Sequence, residues 1–591
     1  MIRICITSLL LATWLCVPKS VAAQDSYPRA LPGEFEVRGL DFRPDGAWRR
    51  RTDAIRLFRR RLLRSGTLAA LNAHGASATR VTGAFLVPVI PIAFSNVPAG
   101  FPETAYQDVL FNPVPSSRPY SVTTFYAQMS LHNVSIDGQV QPWVTADSAD
   151  SYYEDGCNGI GVVTPCPHGF SRLGEFLLEG LRKNDTGALD WGRFDNDGPD
   201  GLPNSGDDDG FVDFVTFLHP DVDGACKTPH LWAHRYVISS LNGGSPYVTH
   251  SPRRDASGSP VPGQFIKVQD YTLQSGQGGD DACTAGLIMP IGTIAHETGH
   301  AFGLPDLYDT SPGAGPHTEG IGEWGLMGSG NYALPYSPSR FEAWSLAELG
   351  WISIDTLRAN QTIHLAPVAL SDTVLYIPVP GTNEFFLLEN RQALGSDSAQ
   401  MNPAFKHPKG PGLLIWHIDG DQVSAHGFRR GGNTVNAGAI HGVALVQADG
   451  LDQLEIAGLK NRGDAGDPFP GRSGNRTFSP TSNPAALDNR GNTAGFTIDS
   501  IYEENPGGSV VIRYSVIPAG VVTVTVAQAT AHLLGTATLG AAQLGYLDGI
   551  GNHNGGYDLG DYLAFLRVMG IVSGTAALPP GIVTKNPVSH R

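Results

Sequence analysis

The chain has 591 residues, of which 41% are hydrophobic, with 72 Gly, 43 Pro and a formal net charge of −16. That length suggests several domains, and the well-represented aromatics speak against disorder. The acidic balance argues against a nucleic-acid partner and suits a soluble protein that holds calcium.

Residues 1–23 read as an export signal, with Met1-Ile2-Arg3, an apolar run through Val17 and small residues at Val21-Ala22-Ala23. The run is too short to span a bilayer comfortably, and no later stretch reaches 18 apolar residues. A secreted protein without a transmembrane segment is expected. Four cysteines follow the signal, Cys157, Cys166, Cys226 and Cys283. An even number in an exported chain predicts disulfides. Of the three possible pairings the local one, 157 with 166 and 226 with 283, is favoured.

Residues 24–80 read as a propeptide. Arg49 to Arg51, Arg56, Arg59 to Arg61 and Arg64 alternate with Leu57, Phe58, Leu62 and Leu63 in a helical pattern. A basic segment of this kind can cover an acidic cleft until it is cut away. Residues 81–352 read as α+β: a strand over 81–94, a helix over 170–182, strands over 211–218 and 231–238, and a helix over 340–349 that stops at Gly350. Between the first helix and the next strand lies an acidic loop carrying Asp195, Asp197, Asp207, Asp209 and Asp213. Carboxylates so closely spaced repel unless a hard cation sits among them, and Asp at alternate positions followed by Gly opens a calcium loop.

Residues 296–306 read His-Glu-Thr-Gly-His-Ala-Phe-Gly-Leu-Pro-Asp. Two histidines four apart share a helix face, where they can bind one zinc. Glu297 can hold the water that the metal acidifies. Gly303 can end the helix in a left-handed turn, and Asp306 then returns as third ligand, where the metzincin pattern has a histidine. Three protein ligands with an open fourth position are the catalytic arrangement. Downstream, Gly322 to Tyr332 is Gly-rich around Met327 and looks like the Met-turn beneath such sites.

Residues 353–516 read as a β-sandwich-like accessory domain, with strands over 373–379, 384–389, 412–417 and 508–516 between Gly/Pro/Asn/Asp turns. Residues 517–591 read as a linker and a small helical module. Within it Asn552, Asn554, Asp558 and Asp561 fall at positions 3, 5, 9 and 12 of an EF-hand-like calcium loop; position 1 is Ile550, which cannot bind through its side chain, and Asp548 could replace it only by a bulge.

Together these motifs resemble the immune inhibitor A family of secreted bacterial metallopeptidases. The resemblance rests on Val87-Pro88-Val89-Ile90, Tyr120 to Tyr126, His296 to Asp309, Glu323 to Tyr332, Phe386 to Gln392, Gly412 to Asp419 and Gly463 to Gly471, and the final module resembles a dockerin. It implies a zincin-like α+β catalytic domain and endopeptidase activity on extracellular proteins or peptides, whereas the zinc spacing alone implies only hydrolysis. Glu297 is the expected general base, and Tyr332 the expected partner of the oxyanion, with Tyr308 as the other candidate. Zinc on His296, His300 and Asp306 and calcium in the acidic loop are the implied metals, and the terminal module is expected to meet a protein partner that the sequence does not name. Two alternatives stay open: a zinc hydrolase of a non-protein substrate, and a calcium-dependent binding protein with a degenerate peptidase domain.

Overall fold

A computed structural model describes residues 47–68, 79–116, 118–161, 164–198, 200–311, 316–402, 409–427, 432–518, 524–569 and 571–572. The expected signal and part of the expected propeptide lie outside these residues. The fold is mixed α/β. The first helix, α1 (Ala47–Ser65), precedes β1 (Gly83–Ala93), α2 (Val122–Met129), β2 (Val134–Val140), β3 (Val144–Thr145), α3 (Ser171–Asn184), β4 (Val215–His219), β5 (His234–Val237), β6 (Asp270–Ser275) and α4 (Gly292–Ala301).

β1 is the apolar spine of a sheet ordered β2-β1-β4-β6-β5. Pro88 and Pro91 remove two ladder donors from it, and β1 pairs in short parallel runs: with β2 over 83–89, β4 over 89–91 and β3 over 92–93. β5 is antiparallel to β6 and forms the edge. Burial of α4 explains its composition. A Cβ at Gly292 would lie 2.2 Å from the carbonyl oxygen of Asn331, and one at Gly299 would lie 2.6 Å from the Met327 sulfur. The Tyr126 hydroxyl of α2 donates to the Ala295 carbonyl at 2.7 Å and so fixes α4 from behind.

After α5 (Ala343–Leu349) come β7 (Ser353–Thr356), β8 (Gln361–Leu365), β9 (Thr373–Pro378), β10 (Glu384–Arg391), β11 (Gly412–Asp419) and β12 (Val443–Val446), then β13 (Phe496–Glu503) and β14 (Val510–Val516). One sheet runs β7-β9-β10-β11-β12, and β8-β14-β13 form another. The five-stranded sheet has no separate core. Leu387, Leu414, Trp416 and Val443 belong to the same buried cluster as Ile294, Phe302, Met327 and Trp344. The chain accordingly divides into compact units elsewhere than at the expected 352/353 boundary. One unit takes residues up to 358 with 362–476 and 501–512; the other takes 359–361, 477–500 and 513–591. In the second unit α6 (Val526–Leu533), α7 (Ala541–Ile550) and α8 (Leu559–Val568) enclose Ala529, Leu547 and Phe565.

Several sequence expectations shift in detail. The strand expected over 211–218 breaks at Asp213-Phe214, because Asp213 turns into the acidic loop. The helix expected from Arg340 begins at Ala343, where the Glu342 side chain accepts from the Ser345 N–H as an N-cap. Both local disulfides, Cys157–Cys166 and Cys226–Cys283, are present.

Candidate metal centre and acidic loops

α4 presents His296 and His300 on one face, both buried. His296 Nδ1 donates to the Leu326 carbonyl at 2.8 Å, and His300 Nδ1 donates to the Leu304 carbonyl at 2.7 Å. These bonds fix the Nδ1 protons on the main-chain side and turn both Nε2 atoms toward Asp306. Asp306 completes the set, its Oδ1 lying 2.9 Å from His296 Nε2 and 3.4 Å from His300 Nε2. Gly303, at φ +82°, supplies the left-handed turn that brings the chain back. Two imidazoles and a carboxylate converging this closely, with their far sides tied to main-chain carbonyls, fit a zinc ion with one position left open.

The ionisable groups of the centre act strongly on one another. Burial disfavours charge on His296, but the Asp306 carboxylate prevails and raises it to about 9. Asp306 is held well below the carboxylate range: burial opposes its charge, but His300 and His296 outweigh that. Burial pushes Glu297 upward against the pull of His300 and His296. Tyr308 stacks along His296, its ring centroid 6.5 Å away; burial, then Asp306, Glu297 and Tyr332, raise its hydroxyl well above the ordinary value. Tyr308 thus borders the centre, and Tyr332 is near enough to act on its hydroxyl.

Motif reading missed the buttress. Asn433, from the segment between β11 and β12, accepts from the Asp306 N–H at 2.8 Å through Oδ1 and donates through Nδ2 to Asp306 Oδ2. Asn436 donates to the Leu307 carbonyl at 2.8 Å. The turn at 326–330 is held in turn by Trp324 Nε1, which donates to Asp467, while Lys409 pairs with Glu323 at 2.9 Å. Sequence gives no local signal for partners 86 to 143 positions away.

In the acidic loop, carboxylate oxygens of Asp195, Asp197 and Asp208 lie within 4.8 Å of one another. Asp208 occupies the place expected of Asp207, which turns outward to accept from Ser205 Oγ and the Asp200 N–H. Asp209 accepts from the Phe211 N–H and borders Asp195 and Asp213. Asp195 Oδ1 and Asp213 Oδ1 are buried without a hydrogen-bond partner. Burial, then the neighbouring aspartates, raise Asp195 to about 9; Asp213 is raised well above its ordinary value, chiefly by burial. In the second unit, Asn552 and Asn554 both donate to Asp558, and Asp561 accepts from the Asn552 and Asp558 N–H groups. Asp548 joins them by accepting from the Gly555 N–H at 3.0 Å.

A buried histidine pair, a returning aspartate, an adjacent glutamate and a methionine turn beneath them define a metallopeptidase-type centre. Residues 97–349 match the family model described as immune inhibitor A peptidase M6, catalytic domain. Pre-pro-metalloprotease PrtV of Vibrio cholerae serotype O1 (strain M66-2) is 27% identical over 283 residues, 43% of this chain and 28% of that protein. Immune inhibitor A of Bacillus thuringiensis subsp. alesti is 25% identical over 289 residues, 45% of this chain and 39% of that protein. The chain thus matches well under half the length of these curated relatives.

Proposed function

We propose that this protein is a secreted zinc endopeptidase that cleaves extracellular proteins or peptides. The carrying observation is the convergence of His296 Nε2, His300 Nε2 and Asp306 Oδ1 beside the buried Glu297. When bound, zinc would acidify a water molecule and polarise the carbonyl of the scissile bond. His296, His300 and Asp306 would hold the metal, with Leu326, Leu304 and Asn433 keeping those ligands oriented. Glu297 takes a proton from the attacking water and delivers it to the leaving amine. Its raised affinity for protons, a result of burial, suits a group that must carry one between two steps. Tyr308 and Tyr332 are the hydroxyls available to the developing oxyanion.

Calcium is proposed as a structural ion. Asp195, Asp197, Asp208, Asp209 and Asp213 would form one site, supported by the unpartnered buried oxygens of Asp195 and Asp213. Asp548, Asn552, Asn554, Asp558 and Asp561 would form another in a dockerin-like module that meets a protein partner.

The test is Glu297→Ala assayed with casein and by metal analysis. The variant should keep one zinc and its melting temperature yet lose activity by orders of magnitude, since every ligand remains while the base is gone. Activity within about tenfold of the parent would defeat the mechanism.

A further inference from the structure

α1 falls in the stretch whose composition suggests a removable prosegment, but its side chains behave as core. Trp48 is 2% exposed; its ring stacks on Phe302, which caps α4, at 5.0 Å and meets Phe85 edge-on at 4.8 Å. Arg59, also buried, donates to three main-chain carbonyls, those of Thr79, Ala347 and Ile352. Arg56 reaches furthest. Its Nη2 donates to the Gly303 carbonyl at 3.0 Å, and its Nε pairs at 2.5 Å with Glu348, a buried carboxylate that Arg60 also meets at 2.9 Å. Gly303 is the left-handed residue that ends α4. Leu304, next in the chain, offers the carbonyl that orients His300, and Asp306 follows two residues later.

We propose that Arg56 is a positioning residue of the metal centre and that the helix carrying it is a permanent part of the working enzyme, so that N-terminal trimming stops short of Ala47. The proposal rests on the reading of His296, His300 and Asp306 as zinc ligands. The Gly303 carbonyl lies just past the end of α4, where no helical N–H reaches it. A guanidinium can satisfy such a carbonyl and a carboxylate at once, and it stays charged while buried. Any slippage of the Gly303 peptide would move the Leu304 carbonyl and rotate the His300 ring with it. Loss of α1 would also strip Glu348 of its arginines in a buried setting, which is costly for an ion left unpaired, and would uncover Phe302 and Phe85.

Three variants of the full chain separate positioning from bulk stability, read by zinc affinity in a chelator competition and by melting temperature. Arg56→Met and Arg56→Lys should weaken zinc binding by roughly tenfold or more, the size expected when the support of a ligand is lost. Glu348→Gln keeps the bond to Gly303 and should lower the melting temperature while leaving zinc affinity within about twofold, far below that loss. Should Arg56→Met fail to fold, Arg56→Lys carries the comparison, because it retains a cation against Glu348. Independently, N-terminal mapping of the secreted, active protein should place its first residue before Ala47. Unchanged zinc affinity in Arg56→Lys, or an active form starting after Ser65, would overturn the proposal. A parent protein that bound no zinc would instead overturn the metal reading beneath it.

Discussion

At the residue scale, the centre combines groups that the sequence advertises with groups that it hides. His296, Glu297, His300 and Asp306 are legible because one helix and one turn carry them all, so spacing alone fixes their convergence. Asn433 is not legible, since only tertiary folding brings it to Asp306. It should nonetheless matter. Asn433→Ala removes both a donor and an acceptor from Asp306, the proposed third ligand, and partners of this kind typically contribute 10- to 100-fold in metal affinity. We expect zinc affinity to fall by about that factor with the histidines intact, measured by chelator competition; a loss under about twofold would leave Asn433 a spectator. Gly299 gives a second residue-scale test. A methyl group there would meet the Met327 sulfur at 2.6 Å, and overpacking in a filled core costs about 1–3 kcal/mol. Gly299→Ala should therefore lower the melting temperature of the catalytic unit, and an unchanged melting curve would mean that the turn at 326–330 yields freely.

At the element scale, the acidic loop shows where reading by composition stops. A run of aspartates signals a cation site, but which carboxylates turn inward depends on the path of the backbone. Gly206 and Gly210 adopt positive φ in this loop, and Asp208 rather than Asp207 joins Asp195 and Asp197. The strand that follows is shortened for the same reason, since Asp213 is drawn into the loop. Asp195 is raised from 3.8 to about 9 by burial and then by its neighbours. Without calcium, the folded state therefore holds this proton more tightly than the unfolded chain. By linkage, the group favours folding below about pH 4 and progressively loses that contribution as pH climbs toward 9. Calcium bound to the ionised loop, as proposed, would remove the penalty by mass action. The gain in melting temperature from added calcium should thus grow between pH 5 and pH 8, and Asp195→Asn should abolish both the gain and its pH dependence. An equal gain at the two pH values, or one that survives in Asp195→Asn, would identify some other site as the source.

At the scale of the whole molecule, the five-stranded sheet is not an appendage. Periodicity identifies three of its five strands, missing 353–356 and 443–446; it cannot say what they pack against, and the natural inference from a change to β-rich sequence is a new domain. The side chains contradict that inference. Trp416 and Leu414 of β11 share a core with Phe302 and Trp344, Asn433 grips the loop at Asp306, and Asp467 anchors Trp324 beside the methionine turn. Arg391, buried, donates to the Trp324 carbonyl and pairs with Glu389 at 2.7 Å. A chain truncated after Ile352 would expose these apolar faces and leave Asp306, Trp324 and Glu323 without the partners that hold them. Large apolar surfaces uncovered in this way drive association rather than folding. Although residues 97–349 are the part that matches the family model, we expect a 47–352 fragment to aggregate or to melt without a cooperative transition, and to bind zinc far more weakly than the full chain. A fragment ending at Arg476 keeps the sheet and both supporting segments, and it should restore much of the cooperative transition and zinc affinity. Calorimetry and zinc titration on the two fragments decide the matter: if 47–352 melts cooperatively and binds zinc as tightly as the full chain, the β-rich half is dispensable to the centre.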